Sequence, residues 1–287
     1  MTSTADTARG LLARCAFPPA GIAAVSGGAD STALLVLAVE AGCDVTAVHV
    51  DHGLRPGSAF EADHVADLAR ALGVPFRAER VVVDLGPNLE ARARDARRAV
   101  LGPGAMTGHT ADDRAETLLL QLLRGAGTTG LAAIRPGPTK PILELRRAET
   151  RAVCAERGLV VLDDPSNADP AFRRNRVRAE LVPLLDDIAD RDTTPLLTRA
   201  AALLADDDAY LDDLAAALDP TEARALAAAP PVLARRALRR WLEVDGYPPD
   251  LATIERVLQV ARHEVKATDV GAGRRVERTG GRLRIAE

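Results

Sequence analysis

Residues 21–31 read GIAAVSGGADS, an apolar run that breaks at Ser-Gly-Gly and leads into a helical pattern, DSTALLVLAVEA, at 30–41. A strand, a glycine turn and a helix in this order leave free N–H groups at the helix N-terminus, where anions bind. Asp30, however, places a negative charge where a phosphate would lie. Two interpretations are open: Asp30 caps the helix in an ordinary turn, or a metal ion lies between its carboxylate and a phosphate.

The turn lacks the lysine of the Walker pattern, GxxxxGKS/T, so it would be a different kind of phosphate loop. Glycines let the backbone approach a ligand closely, and serine hydroxyls donate hydrogen bonds to phosphate oxygens. Mg²⁺ prefers carboxylate and phosphate oxygens together. The phosphate interpretation therefore predicts a magnesium nucleotide with Mg²⁺ on Asp30, held by residues Ser26, Gly27, Gly28, Ala29, Asp30 and Ser31.

Short apolar runs alternate with helical patterns through the first half of the chain, which is typical of α/β folds with a parallel sheet. A helix is predicted at 112–125, and a further strand, helix and strand at 141–145, 146–158 and 159–167. The first four strands are predicted at 21–25, 44–50, 75–83 and 104–108.

The second half changes, from about residue 185, to Ala- and Leu-rich segments with acidic interruptions, which indicate helices. Two glycine turns in VGAGRRVERTGGRLRIAE, at 270–287, predict a small β-hairpin. We expect an α/β domain at 1–187 and a smaller, mainly helical domain at 188–287.

Composition limits the functional classes. No apolar run approaches the roughly 20 residues of a membrane span, and the first residues lack the order of a secretory signal, so we expect a cytoplasmic protein without a membrane partner. The three cysteines form no CxxC pair, which argues against a disulfide framework or a zinc or iron–sulfur site.

The net charge of −4 argues against a uniformly basic nucleic-acid binder, but arginines cluster at 91–98 and 172–178. Arginine binds phosphate in a bidentate manner, which suits an RNA backbone. The alternatives are solvated basic faces and a compositional preference for arginine over lysine.

A second polar constellation is TGHTADDRAET, residues 107–117. His109 lies at the start of the predicted helix, Asp112 and Asp113 lie in its first turn, and Glu116 follows on the same face as Asp113. Such carboxylates hold Mg²⁺ or an ammonium group. A solvated, well-capped helix start is the alternative, although the carboxyl ends of parallel strands are where ligands gather.

Three motifs carry a resemblance to known proteins. SGGxDS resembles the PP-loop of N-type ATP pyrophosphatases. The patterns GHxxDDxxET and DPSNxDPxxxRNRVRxELxPLL, with LLRGAGTTGLAAIRP between them, resemble the tRNA(Ile)-lysidine synthase family over residues 20–185. The resemblance implies a PP-loop ATP pyrophosphatase fold that uses ATP and Mg²⁺. It also implies adenylation of the wobble cytidine of a CAU anticodon in tRNA(Ile), followed by attack of free L-lysine.

The resemblance also implies residue roles. His109 would contact the phosphates or the developing charge, Asp113 and Glu116 would bind the lysine ammonium, and Asp112 would serve metal or structure. Arg94 and Arg97, three apart on a helix, would clamp the cytidine or the triphosphate, although Arg98 replaces an aromatic residue of the family. Contacts to tRNA or phosphate would come from Asn175, Arg176 and Arg178, while Asp164, Ser166 and Asn167 would shape their loop.

The segment 49–58, HVDHGLRPGS, follows the second predicted strand, where the family receives adenine. His49 and Asp51 would face one side of that strand and His52 the other, so these residues do not predict a metal cluster.

Two other functions stay open at this point. One is another PP-loop enzyme that modifies tRNA or forms an amide. The other is a nucleotide-binding module without turnover. The oligomeric state is open as well, with a homodimer as one expectation.

Overall fold

The computed structural model describes residues 10–51, 58–81, 89–163, 169–244 and 248–286. The chain divides into two compact units, Met1–Leu203 and Leu204–Glu287. This division falls within one long helix, Thr194–Ala216. The domain boundary at 187/188 stays a prediction.

The first unit is built on a parallel sheet of β1 (Ala20–Ala24), β2 (Asp44–Asp51) and β3 (Phe76–Arg80), in the order β1-β2-β3. These strands confirm the first three strand predictions. On the other side of β1, Met106 forms a single parallel bridge with Ala23, so the predicted strand at 104–108 is reduced to one bridging residue. The chain order therefore reverses between β1 and Met106, and such a switch point is where α/β sheets bind ligands.

Helices cover this sheet. The helix after β1 is apolar on nearly all sides, and its leucines Leu34, Leu35 and Leu37 are fully buried, because it packs inside the core rather than on the surface. The helices of this part of the unit are α1 (Ala29–Glu40), α2 (Ser58–Leu72), α3 (Leu89–Leu101), α4 (Ala111–Leu122), α5 (Thr128–Leu131) and α6 (Arg147–Glu156).

Two strand predictions are wrong for the described residues. The segment 141–145 forms turns, and its backbone bonds run to loops, with the Ala111 N–H donating to the Leu145 carbonyl at 2.8 Å. Ile142 and Leu145 are fully buried, so the apolar run reflects burial in the core and not strand pairing. Residues 159–163 form no strand either, and 164–167 lie outside the described residues.

The first unit continues with α7 (Arg173–Arg176), a π-helical turn at Val177–Leu181, α8 (Val182–Ala189) and the start of α9 (Thr194–Ala216). Pro183, in the first turn of α8, lacks the N–H that would continue a regular helical ladder. The π-helical turn just before it is the local adjustment.

The second unit contains the end of α9 with α10 (Ala223–Ala228), α11 (Pro231–Leu242) and α12 (Leu251–Ala261), followed by an antiparallel sheet. The sheet strands are β4 (Ala267–Gly271), β5 (Arg274–Thr279) and β6 (Arg282–Ala286). The predicted hairpin is thus confirmed and extended by one strand. Leu238, Val257, Leu258, Val276 and Leu283 form the centre of its core.

Among the helices in the described ranges, none combines the length and apolarity that crossing a membrane requires.

Candidate active site

The turn Ser26–Ser31 is closed by its own hydrogen bonds. The Ser31 hydroxyl accepts from the Ser26 N–H at 3.1 Å and donates to the Gly28 carbonyl at 3.0 Å. Gly27 has φ +86°, and a Cβ there would lie 2.7 Å from Leu162 Cδ1, so the turn requires glycine at this position. Gly28 is the residue before α1 and has no side chain to cap it. The first N–H groups of α1 are therefore well suited to an anion.

Asp30 does not cap this helix. Its carboxylate instead reaches α6, where it accepts a hydrogen bond from the Thr150 hydroxyl and lies 3.6 Å from Arg147 Nε. Burial raises the pKa of Asp30 above its ordinary value of 3.8, and the Thr150 hydroxyl and Arg147 offset this only in part. The helix-cap interpretation of Asp30 is therefore wrong, while the metal interpretation remains open.

The second motif lies directly against this turn. A Cβ on Gly108 would be 2.8 Å from the Asp30 backbone carbon and oxygen, and 2.9 Å from the Ser31 nitrogen. His109 follows, with its Nδ1 2.7 Å from the Thr107 hydroxyl. The phosphate turn and the start of α4 thus touch through their backbones, as the switch point between β1 and Met106 predicts.

Asp113 uses its two oxygens differently. One oxygen accepts from both the N–H and the hydroxyl of Thr110, each at 2.9 Å, which stabilises the start of α4. The other lies 3.2 Å from Arg147 Nη2. Burial would raise the pKa of Asp113, but Arg147 and the Thr110 N–H outweigh it and hold the pKa below the ordinary value. Asp113 is thus both a helix cap and an ionised member of a charge cluster.

Glu116, one turn further along α4, is almost completely buried, with 3% of its side chain exposed. Arg147 Nη1 donates to it at 3.0 Å and Arg178 Nε at 2.7 Å. Arg174 Nε lies 3.3 Å from its other oxygen. The burial of this carboxylate depends on these guanidinium groups, because an unpaired buried charge is strongly destabilising.

Arg147 lies at the centre of the cluster, and the sequence analysis missed it. It contacts Asp30, Asp113 and Glu116, and 18% of its side chain is exposed. Burial acts against its charge, but Glu116, Asp113 and Asp30 raise its pKa further above the ordinary value. Carboxylates that are buried in a folded protein need positively charged partners. That need is the only indication in the sequence that an arginine such as Arg147 would lie here.

Asp112 binds the backbone of Arg147 and the side chain of Arg146, and not the Arg147 guanidinium group. Its Oδ2 accepts from the Arg147 N–H at 2.7 Å, and its carboxylate accepts two further bonds of 3.2 Å from the Arg146 guanidinium. These bonds fix the start of α6 against α4. The role of Asp112 as a metal ligand stays a prediction.

The other predicted site residues are distributed more widely. Arg178 belongs to the cluster, whereas Arg176 pairs with the exposed Glu180 at 2.7 Å, and Asn175 donates to the Asp169 carbonyl at 2.8 Å. Arg174, which the sequence analysis did not single out, also contacts Glu116. Its spacing of four from Arg178 puts both on one helical face, which was an available signal.

Helix α3 is confirmed, and Arg97 on it is half-buried. The side chain of Arg94 lies outside the described set, as do Asp164, Ser166 and Asn167 and the part of the predicted adenine segment at 52–57. His49 on β2 is buried, with Nδ1 2.9 Å from the Val25 carbonyl. That contact fixes the residue that precedes the phosphate turn.

The site suits Mg²⁺ in the way that nucleotide enzymes hold it. Mg²⁺ is usually bound by one or two carboxylates together with phosphate oxygens and water, rather than by a protein cage. Asp30 is the carboxylate within the phosphate turn, where the Thr150 hydroxyl donates to it and Arg147 Nε lies 3.6 Å away, so one carboxylate is present beside the phosphate-binding N–H groups, as this mode of Mg²⁺ binding requires.

Comparison with known proteins gives consistent matches. Residues 14–185 match a family model described as a PP-loop domain, and residues 222–284 match one described as a TilS substrate binding domain. A tRNA(Ile)-lysidine synthase from Nocardia farcinica is 45% identical over 244 residues, which cover 79% of this chain and 77% of that protein. One from Rhodococcus erythropolis is 42% identical over 242 residues, covering 78% and 74%. A solved U34-tRNA thiolase from Methanococcus maripaludis has a TM-score of 0.56 at 16% identity, covering 70% of this chain and 79% of that one, and this likeness concerns the fold alone.

Proposed function

Because the chain belongs to the tRNA(Ile)-lysidine synthases, ligases that form a carbon–nitrogen bond, we propose the following reaction for it. The enzyme joins free L-lysine to C2 of the wobble cytidine in the CAU anticodon of tRNA(Ile). The product, lysidine, changes the reading of the tRNA from AUG to AUA and its amino acid from methionine to isoleucine.

The reaction has two steps. The C2 oxygen of cytidine attacks the α-phosphorus of ATP, and diphosphate leaves. The neutral ε-amine of lysine then attacks C2, and AMP leaves with the original C2 oxygen while the amine loses a proton. A carboxylate or a phosphate oxygen accepts that proton.

The single observation that carries this proposal is the backbone contact between the phosphate turn and the carboxylate helix. A hypothetical Cβ on Gly108 falls 2.8 Å from the Asp30 backbone, so a nucleotide on the turn and a cation on α4 would be immediate neighbours. That proximity suits transfer between an adenylated base and an amine, because reacting groups held together react far faster than free ones.

In the first step, the Ser26–Ser31 turn and the N–H groups of α1 would bind the phosphates of ATP. Mg²⁺, when bound by Asp30, would neutralise phosphate charge. His109, half-buried beside the turn, would donate a hydrogen bond to a phosphate oxygen as charge develops there.

In the second step, Asp113 and Glu116 would bind an ammonium group of lysine. The lowered pKa of Asp113 keeps it ionised at neutral pH, which suits binding of a cation better than removal of a proton. Asp113 is therefore not assigned as the acceptor of the amine proton.

The tRNA would be bound by arginines of the first unit and by the second unit. Arg94, Arg97, Asn175, Arg176 and Arg178 are the proposed contacts to cytidine, phosphate or tRNA backbone. The match of residues 222–284 to a substrate-binding domain supports a role of the second unit in tRNA binding. A cytoplasmic location and a homodimer remain predictions of the same proposal.

The direct test supplies the enzyme with ATP, labelled lysine and a transcript of tRNA(Ile) with a CAU anticodon. We expect lysine in the RNA in a one-to-one ratio with AMP and diphosphate. A transcript with a UAU anticodon is the control and should take up no label. Release of diphosphate without lysine incorporation would favour another PP-loop enzyme and refute the assignment.

A further inference from the structure

The carboxylates proposed to bind lysine are already neutralised in the ligand-free protein. Within the described residues, the cluster pairs three carboxylates, Asp30, Asp113 and Glu116, with three guanidinium groups, which belong to Arg147, Arg174 and Arg178. A simple ammonium ion entering this cluster would compete with bound guanidinium groups and would leave positive charge without a partner. Unpaired charge in a site of this burial is costly.

A zwitterion avoids this cost. The ammonium group of the zwitterion forms ion pairs with the carboxylates of the cluster. Its carboxylate forms an ion pair with the guanidinium group that those carboxylates release, so every charge stays paired. Lysine with a neutral ε-amine, the form that reacts, is such a zwitterion at its α-carbon and carries no net charge. The balance of the cluster therefore fits an α-amino acid better than it fits a plain amine.

We propose that Arg147 binds the α-carboxylate of the incoming lysine and thereby selects an amino acid over an amine that lacks this group. The inference rests on the proposed function and deepens it. Arg147 donates to both Asp113 and Glu116, at 3.2 and 3.0 Å. An α-ammonium group bound by these two carboxylates therefore lies next to the Arg147 guanidinium group. The α-carboxylate of the same lysine molecule then lies within reach of that guanidinium group.

Other contacts fix Arg147 in this place. The hydrogen bond from its N–H to Asp112, 2.7 Å long, anchors its backbone to the start of α4. Its contact with Asp30 is the longest of the three ion pairs, at 3.6 Å. Arg174 Nε lies 3.3 Å from Glu116 without hydrogen-bond geometry, so Arg174 holds Glu116 less firmly than Arg147 and Arg178 do.

The test compares acceptors within one enzyme variant. L-lysine, L-lysinamide and cadaverine all carry the reactive amine and a second amine, but only lysine has the carboxylate. The ratio of kcat/KM for lysine to that for cadaverine is measured by mass spectrometry of the modified tRNA. Common effects of a substitution on folding or on the adenylation step cancel in this ratio.

We expect the full-length wild-type enzyme to prefer lysine over both analogues. Arg147→Met should reduce that preference by about 10- to 100-fold, the factor for loss of a charge-assisted hydrogen bond, mainly through a higher KM for lysine. Arg147→Lys keeps the charge and should recover part of the preference. Arg157→Met, which removes an arginine paired with Glu40 at 2.6 Å outside the cluster, should leave it unchanged.

Two results would overturn the inference alone. In one, Arg147→Met lowers kcat/KM for lysine and cadaverine by the same factor. In the other, Arg178→Met narrows the preference and Arg147→Met does not. A wild-type enzyme that releases no diphosphate with tRNA and adds no lysine would remove the proposed function, and this inference with it.

Discussion

Replacing Gly108 with alanine tests the contact on which the account of catalysis rests. The new Cβ would lie 2.8 Å from the Asp30 carbon and oxygen, whereas ordinary contacts begin at 3.4 Å. Because both neighbours are backbone atoms, one of the two segments must retreat by about 0.6 Å. Displacement of reacting groups by about 1 Å costs about 100-fold in rate, so we expect adenylation to slow by about 10- to 100-fold. Overpacking should also destabilise the protein by about 1–3 kcal/mol.

The assay measures the rate of tRNA-dependent diphosphate release from ATP, and thermal unfolding of the same variants is measured in parallel. Gly104→Ala is the matched control, because it lies in the same segment and its Cβ would meet nothing within 4 Å. It should leave both rate and stability near those of the wild type. If Gly108→Ala released diphosphate within twofold of the wild-type rate, the close contact would be irrelevant to catalysis and the reasoning would fail.

Three further predictions concern charge. Arg236→Met should destabilise the second unit by about 3–5 kcal/mol in urea unfolding, because it removes the guanidinium group that lies 2.6 Å from the fully buried Asp208 carboxylate. The control Arg235→Met removes only an exposed ion pair with Glu255 and should cost about 0–1 kcal/mol. Burial raises the pKa of Asp30, so the folded protein binds its proton more tightly than the unfolded chain does. The ionised carboxylate therefore lowers stability fully at a pH above its folded-state pKa, and this cost is absent at a pH below the ordinary value of 3.8. Asp30→Asn should therefore raise the Tm of the ligand-free protein at pH 8, with a gain that shrinks toward acid pH, and a constant gain would contradict the linkage. Affinity for tRNA should fall steeply as salt rises, with a slope that drops by about one for each phosphate-binding arginine removed, and a flat salt response would exclude the basic face.

The sequence predicts those parts of the site that depend on local order. The strand, glycine turn and helix around Asp30 follow from residues adjacent in the chain, and the shared face of Asp113 and Glu116 follows from helical spacing. The structure confirms both elements and the helix at 112–125, which it places at Ala111–Leu122. The arginine that neutralises these carboxylates from a distant part of the chain could not be predicted from local order.

Arg147 shows why. It contacts Glu116 across 31 positions of sequence, and nothing in the pattern RRAET distinguishes it from an arginine on a solvated helix. The segment 141–145 fails for a related reason, since a short apolar run has the same composition in a strand and in a buried turn. Both errors arise where tertiary contacts, rather than local periodicity, decide the structure.

The fate of the C2 oxygen tests the proposed chemistry most directly. A tRNA(Ile) whose wobble cytidine carries ¹⁸O at C2 is incubated with the enzyme, ATP and lysine, and the released AMP is analysed by mass spectrometry. Adenylation of that oxygen followed by its displacement predicts one ¹⁸O atom in each AMP. Unlabelled AMP, with the ¹⁸O retained in the RNA or lost to water, would contradict the account.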